Sequence, residues 1–124
     1  MISEAVLCLA MNIYHEARDQ DLDGQMAVAE VTLNRVASSR YPDNICDVVW
    51  QNKQFSWTHD GKSDKMYEEN ARHLAIGLAR LYVSGKLESH LTFGATHYHA
   101  SYVDPHWSNH YDITAEIGTH IFYK

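Results

Sequence analysis

The sequence has few cysteines, few prolines and no long apolar run. Its 124 residues include two cysteines and two prolines, which excludes a disulfide-rich scaffold and a proline-rich disordered chain. No stretch reaches the roughly 18 consecutive apolar residues of a membrane-spanning helix. The first residues lack the basic segment and the small-residue cleavage site of a signal peptide. We therefore expect neither membrane insertion nor a signal peptide.

The sequence also lacks an excess of positive charge. Ten Lys and Arg residues stand against 16 Asp and Glu residues, and the formal net charge is -6. Because the basic residues are scattered along the chain, the pattern does not predict a nucleic-acid surface or a surface for anionic membranes. The length suits one domain. We expect residues 1–124 to form a single domain and to act as a monomer.

The two cysteines, Cys8 and Cys46, both lie in apolar stretches. They permit either one disulfide or two free thiols. Cysteine is often buried as a small apolar side chain. We therefore favour two small buried residues, and the sequence does not decide whether they are bonded.

Several segments have the apolar period of helices, and residues 4–17 are the clearest of them. Their apolar side chains fall on two stripes, which predicts a helix covered on two sides and central to the fold. Further helices are predicted at residues 25–36, 45–50 and 64–83. The inward stripe predicted for the last of these consists of Met66, Tyr67, Ala71, Leu74, Leu78, Leu81 and Tyr82.

The character of the sequence changes after Gly85. Residues 95–99 and 116–123 alternate and are rich in β-branched and aromatic residues, which predicts strands, with a turn near Gly118. Helices followed by strands favour an α+β fold. We expect a helical lobe with a buried central helix and a small C-terminal antiparallel sheet, meeting at a cleft.

Glu16 is the main catalytic candidate. On a helix it falls three residues after Ile13, at the edge of the apolar stripe. Desolvation there disfavours the charged carboxylate, and a carboxyl that keeps its proton can act as a general acid. The alternative interpretation is an ion pair with Arg18 or Arg35.

A metal site is a second possibility. Alternate residues of a strand point the same way, so the ligands of a metal-dependent amidase could be His97, His99 and His106, with Asp104 beside them. The cluster lacks a recognised ligand spacing and lies among aromatic residues. We favour a polar cleft wall, and we predict no metal and no cofactor.

Two segments combine flat rings with amide and hydroxyl groups, which is the mixture that sugars require. The predicted glycan-binding residues are Gln54, Ser56, Trp57, His97, Tyr98, Tyr102 and Trp107. The alternative is that some of these rings, and Phe55, are ordinary core residues. A glycan-binding module without chemistry is the non-enzymatic alternative.

Five blocks of the sequence resemble one family, the cell-wall hydrolases of the SleB/CwlJ type. In order along the chain, they are CLAMNIYHEAR (8–18), GQMAVAEVTLNR (24–35), QFSWT (54–58), ATHYHASYVDPHW (95–107) and IGTHIFY (117–123). The resemblance implies a lysozyme-like α+β catalytic domain that acts on the glycan strands of peptidoglycan. It also implies that Glu16, in the YHEAR motif, is the catalytic acid. Asp19 departs from the glycine that many members carry after this motif.

The number of catalytic carboxyls bears on the mechanism. A glycosidase of the usual kind needs two, whereas only Glu16 stands in a recognisable block. Asp43, Asp47, Asp60 and Asp104 have no assignable partner geometry. A lytic transglycosylase needs one, because the 6-hydroxyl of N-acetylmuramic acid closes on its own anomeric carbon to give a 1,6-anhydro product. We favour this reaction over hydrolysis by a muramidase or glucosaminidase.

The expected location follows from the predicted lack of a signal peptide. We expect a protein that stays in the cytoplasm until it is released to the wall, as phage lysins are, or one that is associated with the spore or the cell wall.

Overall fold

The computed structural model describes residues 2–124, which fold as helices followed by strands. The helices are α1 (Glu4–Ala17), α2 (Leu22–Val36), α3 (Ile45–Val49) and α4 (Glu69–Val83), and the strands are β1 (His97–Ala100), β2 (Ile113–Ile117) and β3 (His120–Tyr123). Short 3-10 turns occupy Ser56–Thr58 and His106–His110. The predicted α+β order is confirmed. Within residues 2–124, no helix has both the length and the apolar character needed to cross a bilayer.

Helix α1 lies at the centre of the helical lobe, packed against α2, α3 and α4. Its predicted apolar stripe is buried, with Leu9, Ile13 and Ala17 all at 0% exposure. Leu7 of the second stripe is 40% exposed, so that side is only partly covered. The helix begins at a Ser3 cap, whose side chain accepts a hydrogen bond from the Val6 N–H. Burial on several sides leaves α1 little freedom to shift.

Helix α4 begins at Glu69 rather than at residue 64, so the prediction was wrong for its first residues. Two contacts with α1 hold the preceding segment outside the helix. His15 Nε2 donates to the Asp64 carbonyl (2.8 Å), and the Glu68 N–H donates to the Tyr14 hydroxyl (3.0 Å). These tertiary bonds take up backbone groups that an earlier helix start would use.

The inward face of α4 also differs from the predicted stripe. Leu74 and Leu81 are each 42% exposed, and Tyr67 is 70% exposed. The buried residues of α4 are Ala75, Leu78, Ala79 and Tyr82. Small alanines on this face let α4 approach α1 closely, and the neighbouring Leu74 and Leu81 stay exposed.

The sheet has the order β1-β3-β2, and both pairings are antiparallel. The predicted turn near Gly118 is confirmed, and β2 begins earlier than expected. Gly118 has φ +58, and a Cβ there would lie 2.4 Å from Gln20 Oε1. That oxygen accepts from the Thr119 N–H, and Gln20 Nε2 donates to the Thr119 hydroxyl. The hairpin is thereby fastened to the connection between α1 and α2.

A buried carboxylate organises the chain between α4 and β1. Glu30 of α2 is 3% exposed. Its oxygens accept hydrogen bonds from the Leu91 N–H, the Thr92 N–H and the Thr92 hydroxyl, each at 2.9 Å, and from the Ser89 hydroxyl. Such bonds compensate the desolvation of a buried charge. They hold this segment against α2. The chain then continues from the segment into β1.

Cys8 and Cys46 form a disulfide, which decides the choice that the sequence left open. The packing of α3 on α1 brings their Cα atoms to 5.3 Å, within the range that a disulfide requires. The sequence alone could not supply that distance. The bond joins the two helices covalently.

Replacing both cysteines, Cys8→Ser with Cys46→Ser, should lower the free energy of unfolding by about 3–4 kcal/mol, because the bond closes a long loop and restricts the unfolded chain. The two positions are 38 residues apart. Urea denaturation followed by circular dichroism measures the change. Reductant should lower the stability of the wild type toward that of the variant and leave the variant unchanged. Equal stability of the oxidised wild type and the variant would contradict the prediction.

Candidate active site

Glu16 lies in the last turn of α1, where the helix meets the sheet. Its side chain is partly buried, and Oε1 accepts a hydrogen bond from the hydroxyl of Tyr98 on β1. Desolvation raises the pKa of Glu16; the Tyr98 hydrogen bond and the charge of Arg35 oppose this to a smaller extent. The carboxyl therefore holds its proton to a higher pH than an exposed glutamate does.

Arg35 of α2 is fixed beside this pair, and sequence reasoning did not identify it as a site residue. It is 5% exposed. Its Nε donates to the Thr96 carbonyl (2.8 Å) and Nη1 donates to Gln54 Oε1 (3.1 Å). The guanidinium lies 4.9 Å from the centre of the Tyr41 ring. Burial lowers the pKa of Arg35, and nearby groups including Glu16 oppose this. The fixed charge of Arg35 thus lowers the pKa of Glu16 without forming an ion pair with it.

Glu16 forms no ion pair within 4 Å among residues 2–124. Arg18 is paired with Glu68 instead, at 3.5 Å. The structure therefore does not contain the ion pair of Glu16 with Arg18 or Arg35 that was the alternative interpretation. A carboxyl without a close cationic partner is better suited to keep a proton.

Two cavities lie on either side of the Glu16–Tyr98 hydrogen bond, one lined by Glu16 and the other by Tyr98. In the first, which we call the basic arm, the side chains of Arg18, Lys62 and Lys65 share one cavity with Glu16. Ser56 and Trp57 also line this cavity. Trp57 is otherwise a core residue, 5% exposed, and its Nε1 donates to Asn12 Oδ1 (2.8 Å).

We call the second cavity the aromatic arm. It is lined by Arg35, Lys53, Gln54, His97, Tyr98 and Trp107. The ring of His97 stacks on Tyr111, with 4.2 Å between the ring centres, and lies 5.2 Å from Trp107. Tyr98 lines this arm and bonds to Glu16, which lines the basic arm, so the Glu16–Tyr98 pair lies between the two arms.

The predicted glycan-binding residues divide between the arms, except for one. Ser56 and Trp57 line the basic arm, and Gln54, His97, Tyr98 and Trp107 line the aromatic arm. Tyr102 is 86% exposed and lines neither arm.

The ring nitrogens of the two strand histidines have protein partners. His99 Nε2 lies 2.8 Å from the Tyr123 hydroxyl and Nδ1 lies 2.7 Å from the Ala100 carbonyl. His97 Nδ1 lies 3.0 Å from the Thr96 hydroxyl. Within residues 2–124, no group of three or more His, Cys, Asp or Glu side chains is arranged to hold a metal ion. These partners favour a polar wall over a set of metal ligands.

Three other carboxylates line cavities shared with Glu16. Asp60 lies in the basic arm, and Asp19 and Glu68 line an adjoining cavity. Asp60 Oδ1 accepts from the Lys62 N–H (2.9 Å), and Glu68 is paired with Arg18. The sequence did not predict that Asp60 lies near Glu16, because the loop that carries Asp60 is positioned by tertiary contacts.

The raised pKa of Glu16 predicts a pH-dependent effect of Glu16→Gln on stability. Above about pH 4.5, the ordinary value, the unfolded chain releases this proton while the folded protein keeps it, so the stability of the wild type falls as the pH rises through this window. Glutamine does not ionise and can still accept from Tyr98. The variant should therefore gain stability over the wild type from about pH 4.5 upward, with no gain at lower pH.

Urea denaturation of both proteins from pH 3.5 to 8 measures this difference. The gain should level off above the pKa of Glu16 in the folded protein, since both states of the wild type are then ionised. A difference in stability that is constant across this pH range would contradict the assigned shift.

Two solved structures are similar to this chain over nearly its whole length. The catalytic domain of the germination-specific lytic transglycosylase SleB from Bacillus anthracis superposes with a TM-score of 0.78 at 28% identity, covering 98% of this chain and 96% of that one. The catalytic domain of the Bacillus cereus SleB protein superposes with a TM-score of 0.73 at 27% identity, covering 100% and 93%. The predicted lysozyme-like α+β fold is confirmed by these matches.

Curated relatives match a shorter part of the chain. The spore cortex-lytic enzyme of Halalkalibacterium halodurans is 37% identical over 68 residues, which are 55% of this chain and 21% of that protein. The enzyme of the same name from Bacillus subtilis is 34% identical over 68 residues, 55% of this chain and 22% of that protein. The matched part is thus about a fifth of the length of each relative.

The family described as Cell Wall Hydrolase matches residues 19–123. Glu16 precedes the matched range, so its catalytic role stays a prediction. The match covers most of the sequence, and the resemblance found in the sequence blocks is confirmed. The chain belongs to the cell wall hydrolase family.

Proposed function

We propose that this chain is a lytic transglycosylase that cleaves the glycan strand of peptidoglycan, with Glu16 as general acid and then general base. The observation that supports it is the Glu16 carboxyl itself, which is desolvated, bonded to Tyr98 and, with Tyr98, lies between the two arms. The names of the two similar proteins, a lytic transglycosylase and a cortex-lytic enzyme, support it.

In the first step, the protonated Glu16 donates its proton to the oxygen that joins N-acetylmuramic acid to N-acetylglucosamine. The electron pair of the bond from that oxygen to the anomeric carbon goes to the oxygen, so the glucosamine leaves with a hydroxyl and the anomeric carbon is left as an oxocarbenium-like centre. Desolvation favours the protonated carboxyl at the start. The Tyr98 hydroxyl then stabilises the carboxylate that remains.

In the second step, the Glu16 carboxylate accepts the proton of the muramic 6-hydroxyl. The oxygen of that hydroxyl bonds at the same time to the anomeric carbon. This closes the 1,6-anhydro ring and returns Glu16 to its protonated state. The two opposing influences on the pKa of Glu16 suit this cycle, because the group must donate and accept one proton in each turnover.

The aromatic arm supplies groups for holding sugars. Ring faces at Trp107 and His97 can pack on the C–H faces of a sugar. The Gln54 amide, held by Arg35, can bond to hydroxyl or acetamide groups. We assign the substrate-positioning role to these residues and to Ser56 in the basic arm.

The same proposal extends to the organisation and location of the protein. Residues 1–124 act as one catalytic domain, since the similar catalytic domains span nearly all of the chain. The substrate places the protein at a bacterial cell wall or spore wall when it acts. The cortex-lytic names of the relatives support this location.

Glu16→Gln should reduce the rate of peptidoglycan cleavage at least about 100-fold, because the amide keeps the size of the side chain but cannot transfer a proton. Turbidity loss of purified peptidoglycan measures the rate. The matched control is Glu69→Gln, which removes an exposed carboxylate at the start of α4 and should keep the wild-type rate. A folded Glu16→Gln protein with most of its activity would falsify the assignment.

Digestion in ¹⁸O-labelled water tests the type of reaction. Transglycosylation should give 1,6-anhydro-muramic ends without label, since no water enters the bond-breaking step. Mass spectrometry of early products, before anomeric exchange, measures this.

Labelled reducing ends would indicate hydrolysis instead. Hydrolysis requires a second carboxylate or a held water. The carboxylates available for that role share cavities with Glu16, namely Asp19, Asp60 and Glu68.

A further inference from the structure

The basic arm has no role in the proton transfers proposed for Glu16. It gathers three cations, Arg18, Lys62 and Lys65, into the cavity that contains the catalytic carboxyl. The chain as a whole has a net charge of -6. A local concentration of positive charge in an acidic protein attracts anionic groups of a ligand to that place.

The lysine segment is fastened to the turn of α1 that carries Glu16. His15 Nε2 donates to the Asp64 carbonyl, and the Glu68 N–H donates to the Tyr14 hydroxyl. These two anchor points flank Lys65 on either side. The position of the basic arm relative to Glu16 is therefore set by the two residues that precede Glu16.

Inside the segment, short side chains shape the backbone at both lysines. Asp60 Oδ1 accepts from the Lys62 N–H (2.9 Å), and the Ser63 hydroxyl accepts from the Lys65 N–H (3.3 Å). The Tyr67 hydroxyl also donates to Ser63 (3.1 Å). These bonds give the arm a defined backbone before any ligand arrives.

The two lysine ammonium groups are available to a ligand. Both side chains are exposed, and among residues 2–124 neither ammonium lies within 4 Å of a carboxylate. Arg18, by contrast, is held by Glu68. Three cations and two carboxyls, Glu16 and Asp60, line this cavity. Even with both carboxyls ionised, the lining groups of the basic arm therefore carry a positive balance.

We infer that the basic arm binds the acidic substituent of muramic acid through Lys62 and Lys65, and thereby selects which sugar presents its anomeric carbon to Glu16. The inference rests on the proposed function and deepens it. The two alternating sugars of the glycan differ in one respect, since only muramic acid carries a lactyl ether. That group ends in a carboxylate or continues into a peptide with free carboxylates, whereas N-acetylglucosamine is neutral.

This selection matters because transglycosylation requires muramic acid, with its free 6-hydroxyl, on the side of the bond that Glu16 attacks. An anionic substituent held by the basic arm sets that register. A strand displaced by one sugar would present the neutral glucosamine to the lysines and would lose the attraction.

The test compares the double variant Lys62→Gln/Lys65→Gln with Arg80→Gln/Lys86→Gln, which makes the same change of charge at exposed positions outside the cavity. On solubilised glycan chains with intact peptides, the first variant should raise KM about threefold to tenfold with kcat nearly unchanged. The control variant should match the wild type. Equal losses in the two variants, or no loss in the first, would overturn the inference.

Chemical amidation of the substrate carboxylates provides a second test. On neutralised chains, the wild type and Lys62→Gln/Lys65→Gln should have the same KM, because no anion remains for the lysines to bind. A persisting difference would show that the lysines act on the structure of the cleft and would overturn the inference.

Chains stripped of peptide identify the source of the anion. A retained difference in KM on these chains identifies the lactyl carboxylate as the bound group, and a lost difference identifies the peptide carboxylates. Both outcomes support binding of a substrate carboxylate by the two lysines.

A binding measurement separates this inference from the proposed reaction. Isothermal titration of a peptide-bearing muramic acid disaccharide into Glu16→Gln, with and without the lysine changes, needs no turnover. Weaker binding by about threefold to tenfold in the lysine variant supports the basic arm even if the reaction proves hydrolytic. Equal binding would overturn it even if the product is the anhydro sugar.

Discussion

Burial of α1 on several sides is the constraint on which the rest of this structure depends. The helix carries the core residues Leu9 and Ile13 in its middle and Glu16 at its end. Because three other helices pack around it, its last turn is held in place and partly desolvated. The shift in the pKa of Glu16 is thus a consequence of the position of α1 in the core.

Buried polar side chains convert this packing into a shaped cleft. Asn12 joins α1 to Thr32 of α2 and to Trp57 of the following loop. Glu30 holds the segment that leads into β1, and Arg35 holds the start of that strand together with Gln54. Each group has hydrogen-bonding partners that compensate its burial. Because the partners lie on different elements, these bonds also align the walls of the cleft.

The electrostatics of the cleft are more varied than the composition suggests. A chain with a net charge of -6 places two exposed lysines in the cavity that Glu16 lines and a buried guanidinium in the cavity that Tyr98 lines. Desolvation favours the protonated carboxyl, and Tyr98 and Arg35 favour the charged one. A group balanced in this way is suited to move a proton in both directions.

The sequence by itself determined the central helix, the α+β order and the placement of Glu16 at the edge of an apolar stripe, because helical and strand periods are local properties of the chain. Tertiary structure alone decided the disulfide, the late start of α4, the place of Arg35 and the basic arm. Glu16 and Tyr98 are 82 positions apart, and Tyr14 and His15 reach a segment about 50 positions further along. No local period encodes such contacts, which arise only when helices pack around α1 and bring distant segments to its end.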